Sequence, residues 1–369
     1  MKKNFKINLY DLCIISLVFI YGIQQIYVVN HIPHINKVFD IIEWLFYLCL
    51  VYLVIQKKLY TFNEILTIAI VSGIFLTVYI QSGYAALLKA TLLIIALKGY
   101  NFKHIVKLIK NTYFAVLVGA FTLFLTGISN SGIQRRGYYA FGFSNVNVCG
   151  GIIFIICLLW LLEKDDFSKK QSLKIIAIAL CVLLFTDNRT VVILLIALPV
   201  IINLCKASIK RKSKIFRMCV YTCPIICFLI CIITLKLYPT SIFVQKLNPI
   251  VSSRIYLNYY NFNRYGFSLF GQNIWFNTGE AIYNEVTGGY STFNTVDNTY
   301  ICLLIQMGMC SVGVLLCAYL SLIKKTFLRK KFILIAVIIV LCLYGLFESS
   351  MLVIYMNFPF LYLLSQGDS

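Results

Sequence analysis

Apolar stretches recur along this chain at lengths set by a bilayer. Leu9–Val29, Ile65–Ile80, Ile152–Leu162, Val191–Leu204 and Phe332–Phe347 are almost free of charge. A helix needs about 20 mostly apolar residues to cross the ~30 Å hydrocarbon layer. With 60% hydrophobic residues and a mean hydropathy of +0.86, 369 residues hold more apolar side chains than a soluble core accepts. The chain therefore reads as an all-α, polytopic transmembrane helical bundle. Roughly twelve spans fit the pattern, at residues 9–29, 38–55, 65–80, 84–100, 112–127, 146–162, 172–186, 189–205, 215–237, 297–322, 332–347 and 350–365. The shorter ones imply tilt, burial, or polar ends that line a cavity.

A formal charge of +20 would suit nucleic acid, but the placement of the basic residues points to a membrane. Cytoplasmic loops retain Lys and Arg. With both termini inside, the inner segments hold 24 Lys and Arg and the outer ones 8, while Lys89 lies within a span. The first span follows MKKNFK, outruns a signal peptide's apolar region and lacks a small-residue cleavage site before Gln24-Gln25, so it is expected to stay as a helix. The 14 Cys are spread singly, with none between Tyr238 and Thr299, and imply neither a disulfide framework nor a metal site. Asp165-Asp166 lies among Lys164, Lys169 and Lys170 and reads as a solvated turn rather than half a metal cluster. No repeat divides the chain, so residues 1–369 read as one membrane domain.

Two segments on the low-lysine side differ from the short turns elsewhere. The first, GISNSGIQRRGYYAFGFSNV from Gly127 to Val146, is polar, Gly-rich and aromatic, and runs into a helix at Asn145 or Asn147. The second, residues 238–296, is rich in Asn, Tyr and Phe, which suits an ordered extracytoplasmic loop with short helices of its own. Within it, SSRIYLNYYNFNRYG has helical spacing. Ile255, Tyr259 and Phe262 share one face, and Arg254, Asn258 and Asn261 another. Ser252 is the expected N-cap, and the helix is expected to lie apolar side down on the membrane surface.

The outer side is poor in Lys and relatively rich in Arg: Arg135, Arg136, Arg189, Arg254 and Arg264. Guanidinium groups stay charged and grip phosphate bidentately. Arg189 is the sharpest case, because TDNRT joins two apolar spans by a turn too short to be solvated. Asp187 is either its structural partner or a bystander to a ligand role. Lys89 either snorkels to the headgroups or faces a phosphate in the bundle. Among the outer acids, Asp40, Glu43, Asp187, Glu280, Glu285, Asp297 and Glu348, the best placed to take a proton is Asp297. Its structural alternative is to cap the helix that DNTY opens. No DxD pair indicates a metal. Asn145, Asn147, Asn258, Tyr259, Asn298, Tyr300 and Trp275 suit a carbohydrate, since amides bond paired hydroxyls and aromatic faces cover sugar C–H groups. The same aromatics would also suit any membrane boundary.

Four segments in this order resemble the O-antigen polymerase and ligase superfamily, the Wzy-type polysaccharide polymerases in particular. They are RRGYYAFGFSNVNVCGG at 135–151, FTDNRT at 185–190, SSRIYLNYYNF through LFGQNI at 252–274, and DNTYICLLIQMG at 297–308. The resemblance implies a bundle in the bacterial cytoplasmic membrane that adds undecaprenyl-pyrophosphate-linked glycan to another lipid-linked repeat unit. The product would be capsule, O-antigen or another exopolysaccharide. It also implies pyrophosphate contacts for Arg135 or Arg136, Arg189 and Arg254, with Arg264 aligned less closely; together with Asp297 as the proton acceptor read above, the expected catalytic set is Asp297, Arg254 and Arg189. Val146 stands where the family usually has Pro, so that helix entry is expected to differ in shape. Ligases of the superfamily carry a His in or near the large loop. Here His31, His34 and His104 all lie elsewhere, which favours the polymerase reading. No cofactor is implied. Expected partners are membrane lipid, a flippase and chain-length regulator proteins. A lipid-linked oligosaccharide flippase is the rival, although such proteins usually show two similar halves.

Overall fold

Side chains that close helix starts punctuate this apolar chain, and a computed structural model shows most of them in use. It describes residues 8–56, 60–130, 138–274, 282–284, 289–291 and 295–366. The first half comprises α1 (Leu9–Gln24), the single turn α2 (Tyr27–Asn30), α3 (Ile35–Gln56), α4 (Phe62–Ser82), α5 (Ala86–Ala96), α6 (Phe102–Leu125) and α7 (Val146–Leu162). There follow α8 (Lys169–Thr186), α9 (Arg189–Lys210), α10 (Lys214–Leu237), α11 (Ile242–Ile250) and α12 (Arg254–Tyr265). A ribbon of β1 (Ile282–Asn284) and β2 (Gly289–Ser291) pairs antiparallel, and α13 (Thr299–Cys302), α14 (Gly308–Leu328) and α15 (Phe332–Tyr344) complete the chain. Asn8, Thr61, Asn101, Asn145, Ser168, Asn188 and Ser213 each accept a backbone N–H from the first turn that follows. Those donors have no intrahelical partner and would be costly to bury bare.

Among the described residues, six helices are long and apolar enough to cross a membrane: α3, α4, α6, α9, α10 and the composite Thr299–Leu328. The described residues also hold four shorter apolar helices, α1, α5, α7 and α15, of which α7 and α15 are mostly buried. Nearly every residue of α15 is buried, and it packs against α9, α10, α14 and α7. A helix apolar on all sides belongs at such a centre. The lysine-rich turns gather at one end. There Lys103 pairs with Asp165 at 2.5 Å, Lys206 pairs with Asp166, and Lys98 pairs with Glu64 at 2.6 Å. The turn at Asp165-Asp166 is therefore held by lysines.

The expected helical span at 350–365 is not one. Residues 349–366 pass through the bundle as two 3-10 turns, Ser349–Leu352 and Phe358–Tyr362, joined by irregular backbone. Their far end bonds to the lysine-rich side, where Gly99 N–H donates to Leu364 O at 3.0 Å and Gln366 N–H to Tyr100 O at 2.8 Å. Pro359 removes a donor, and the Asn357 amide donates to Tyr319 Oη at 3.0 Å and Met351 O at 3.2 Å instead of facing solvent. Lys325 Nζ donates to the carbonyls of Tyr362, Leu363 and Ser365. Irregular backbone is tolerated at membrane depth where protein surrounds it, and most of this segment, from Ile354 to Tyr362, is buried.

The span that follows the large loop is also discontinuous. A π-turn at Leu303–Met307 separates α13 from α14. Gly308 has φ +82°, and Gly271 of the loop, at φ +94°, packs directly against the break. Loop and helix exchange backbone bonds there: Gln272 N–H to Gln306 O at 3.0 Å, Met309 N–H to Ser268 O at 2.9 Å, and Cys310 N–H to Leu269 O at 3.0 Å. Part of the large loop is thus built into the bundle.

Candidate functional site

α12 reverses the expected orientation. Its buried residues are Tyr256, Leu257, Asn258 and Asn261, so the Arg254–Asn258–Asn261 face points into the protein. Ile255, Tyr259 and Phe262 are only half-buried. The cap also shifts, because Ser253 rather than Ser252 precedes the helix and neither side chain caps it. Both serines have positive φ, 58° and 64°, a costly pair for residues with a Cβ. Asn248 holds the corner, its carbonyl oxygens taking Ser253 N–H at 2.9 Å and Tyr256 N–H at 3.0 Å. This corner aims Arg254 inward.

Arg254 sits between two carboxylates. Its Nε lies 3.3 Å from Asp297 Oδ2 and its Nη2 3.1 Å from Glu348 Oε1, while Nη1 donates to Phe347 O. The Arg254 and Glu348 side chains are 17% and 16% exposed, and Asp297 is 30% exposed. Glu348 lies in the turn after α15. Burial pushes its carboxyl up to about 7; the Arg254 charge opposes this and the Asp297 charge adds to it. One proton is therefore close to balance at this site near neutral pH.

Neighbouring groups fix the two acids. Asn298, not Asp297, caps the helix: its Oδ1 accepts from Tyr300 and Ile301 N–H, and its Nδ2 donates to Leu346 O at 2.8 Å. Asp297 is thereby released from the capping role. Thr299 N–H donates to Gly345 O at 2.8 Å, and Tyr300 Oη to Cys342 O at 2.9 Å, so Asn298 and Tyr300 tie the loop exit to α15. Asn258, one turn along α12 from Arg254, buries a carboxamide oxygen that lacks a hydrogen-bond partner among the described residues.

Other candidates converge on the same end. Asn188 in the short hairpin caps α9 and donates from Nδ2 to Asn147 O at 3.2 Å, and a Cβ on Gly150 would strike it at 2.8 Å. The adjacent Gly151 faces Tyr344 Oη, and the Tyr344 carbonyl accepts from Glu348 N–H at 3.1 Å. The start of α7, the hairpin and the Glu348 turn are therefore contiguous. Arg189 pairs with Asp187 at 3.2 Å yet leaves its side chain 65% exposed. Asn145 caps α7, and both it and Asn147 are exposed.

Two basic candidates and one tyrosine stand elsewhere. Arg264, at the other end of α12, is exposed, with Nη1 donating to Tyr260 Oη at 3.4 Å and the guanidinium over Tyr265. Lys89 pairs with Glu43 at 2.6 Å and lies over Trp44. The Tyr259 ring lies tilted against that of Tyr238, with centroids 5.2 Å apart. Arg135, Arg136 and Trp275 lie outside the described residues. Glu348 is the group that reading the sequence passed over as one outer acid among seven. Its only sequence signal is an acid that closes an apolar run. Comparison of the chain with family models, curated proteins and solved structures finds no match.

Proposed function

We propose that the protein is a membrane glycosyltransferase that polymerises polyprenyl-pyrophosphate-linked oligosaccharide repeat units, at the outer face of a bacterial cytoplasmic membrane. The observation that carries this reading is the Arg254–Asp297–Glu348 cluster, a guanidinium between two carboxylates, one of which takes up and releases its proton near pH 7. An acceptor hydroxyl attacks the donor's anomeric carbon, the new C–O bond forms, and the bond to pyrophosphate breaks with its electron pair leaving on phosphate. Glu348 accepts the hydroxyl proton, the work that a carboxylate tuned toward neutrality does best. Arg254 already meets three protein acceptors, so it positions the carboxylates, and the exposed Arg189 faces the leaving pyrophosphate. The unpartnered carboxamide oxygen of Asn258 suits a sugar hydroxyl.

The test is the length of surface polysaccharide made by a strain lacking the gene and complemented with variants. Glu348→Gln and Arg254→Ala should insert normally and leave single repeat units at the surface. Full-length polymer from both would overturn the reading. The discontinuous α13–α14 helix favours a lipid-linked glycan flippase as the second reading, since broken helices recur in transporters. Repeat units accumulating inside the deletion strain would identify that activity.

A further inference from the structure

The lysine-rich end of the bundle encloses a cavity of about 80 Å³ that shares no lining residue with the Arg254–Asp297–Glu348 cluster. Four stretches of chain close it: the start of α6, the end of α7 with the turn after it, the α14–α15 turn with the first residues of α15, and Tyr362 of the irregular segment. Among the described residues, four lysines, Lys103, Lys164, Lys330 and Lys331, line it against one acid, Asp165, which Lys103 already holds at 2.5 Å. The floor is apolar. Buried Phe102, Ile333 and Tyr362 form it, the Phe102 and Tyr362 rings meeting edge-on with centroids 4.9 Å apart. Four like charges drawn to one small cavity repel one another more than a single carboxylate offsets, and an anion at the centre removes part of that repulsion. At the ~15 Å³ that one water needs, the cavity has room for about five, the heavy-atom count of one phosphate group. α15 starts at the same wall without a side-chain cap, so the positive end of its dipole adds to the field of the lysines.

We infer that this cavity holds the phosphate of an anionic phospholipid, whose acyl chains run along the outside of the bundle. Its position selects a lipid over a free anion. The cavity lies where apolar helices end in lysine-rich turns, which is the level of the headgroups, and basic pockets between membrane helices at that level suit anionic lipid. One headgroup there would tie together four stretches of chain that otherwise meet around like charges. The inference does not depend on the proposed transferase reaction.

The purified full-length protein in phosphatidylcholine nanodiscs is exposed to a phosphatidylglycerol bearing a photoreactive diazirine at its headgroup, and the labelled peptides are mapped by mass spectrometry. Labelling is expected within residues 102–107, 162–166 and 330–334. Unlabelled phosphatidylglycerol should suppress it about tenfold more effectively than added phosphatidylcholine, and millimolar inorganic phosphate should leave it unchanged. Lys164→Gln and Lys330→Asn alter exposed turn positions, and Asn suits the φ of +52° at residue 330. Each should weaken competition by phosphatidylglycerol about fivefold, the ~1 kcal/mol that one lysine contributes near anionic lipid. Lys212→Asn is the matched control: Lys212 has the same φ of +52°, lies in the lysine-rich α9–α10 turn, and does not line the cavity. It should leave labelling unchanged. Labels confined to other segments, equal competition by phosphatidylcholine, suppression by inorganic phosphate, or equal effects of Lys212→Asn and Lys330→Asn would overturn the inference. Suppression by phosphate would identify a free-anion site, and equal lysine effects only the general field of that end. The first three outcomes are read on the parent protein and need no variant to fold.

Discussion

Glu348 carries the pH dependence of the site. Its carboxyl ordinarily releases its proton near 4.5, but in the fold it does so near 7. Between those values the native state keeps a proton that the unfolded chain has lost. Stability should therefore fall as pH rises from about 4.5 to about 7, by at most ~1.4 kcal/mol per pH unit, and level off above. Thermal melting of detergent-solubilised protein across this range should show that slope, and Glu348→Gln should flatten it. The proposed transferase activity should run the opposite way, climbing through pH 7 as the base form appears, with Glu348→Gln inactive throughout. Arg254→Ala removes the charge that restrains Glu348, so the midpoint of the stability curve should move above 7. It should also cost several kcal/mol, since two carboxylates are left facing each other without a counter-charge. Arg254 and Asp297 were legible as candidates because each opens a helix beside the large loop. Glu348 was not, because it lies 94 residues from Arg254 and only folding makes them neighbours.

At the level of elements, the corner between α11 and α12 and the break before α14 decide where the functional groups point. Asn248→Ala deletes the acceptor that holds Tyr256 N–H and frees a corner with two strained serines. It should cost about 1 kcal/mol in melting stability and lower activity far more than stability, because Arg254 loses its aim. A Cβ at residue 308 would sit 2.4 Å from Gly271 N in a region of backbone space open to Gly. Gly308→Ala should therefore lose at least roughly 1–3 kcal/mol and expose residues 266–274 to limited proteolysis. The two faces of α12 were readable from its spacing, but which one turns inward was not. Amphipathic periodicity assigns sides; the two carboxylates waiting in the bundle reversed the usual choice. In the same way, the apolar content of residues 349–366 implied burial without implying a helix. Pro359 and Asn357 prevented one, and Lys325 made the irregular path affordable.

For the whole molecule, segregation of charge predicts orientation. Epitope tags inserted after Lys212 and after Lys330 should be unreachable by antibody on intact spheroplasts, while one after Gly266 should be reached. Reversal of that pattern would place the cluster on the cytoplasmic side and remove its access to exported glycans. The sequence alone determined that this chain lives in a membrane, since hydropathy acts residue by residue and the apolar runs have no other solvent. It also determined the bunching of lysines at one end, which the fold keeps together as Lys98, Lys103 and Lys206 pair with nearby acids. Only the tertiary structure decided that the last segment threads the bundle without a helix, that the loop plugs a broken span, and that Glu348 joins Arg254 and Asp297. Those outcomes depend on contacts between residues far apart in the chain. The energy of pairing a buried charge or satisfying a buried carbonyl is fixed by what the fold brings alongside, and no local pattern records it.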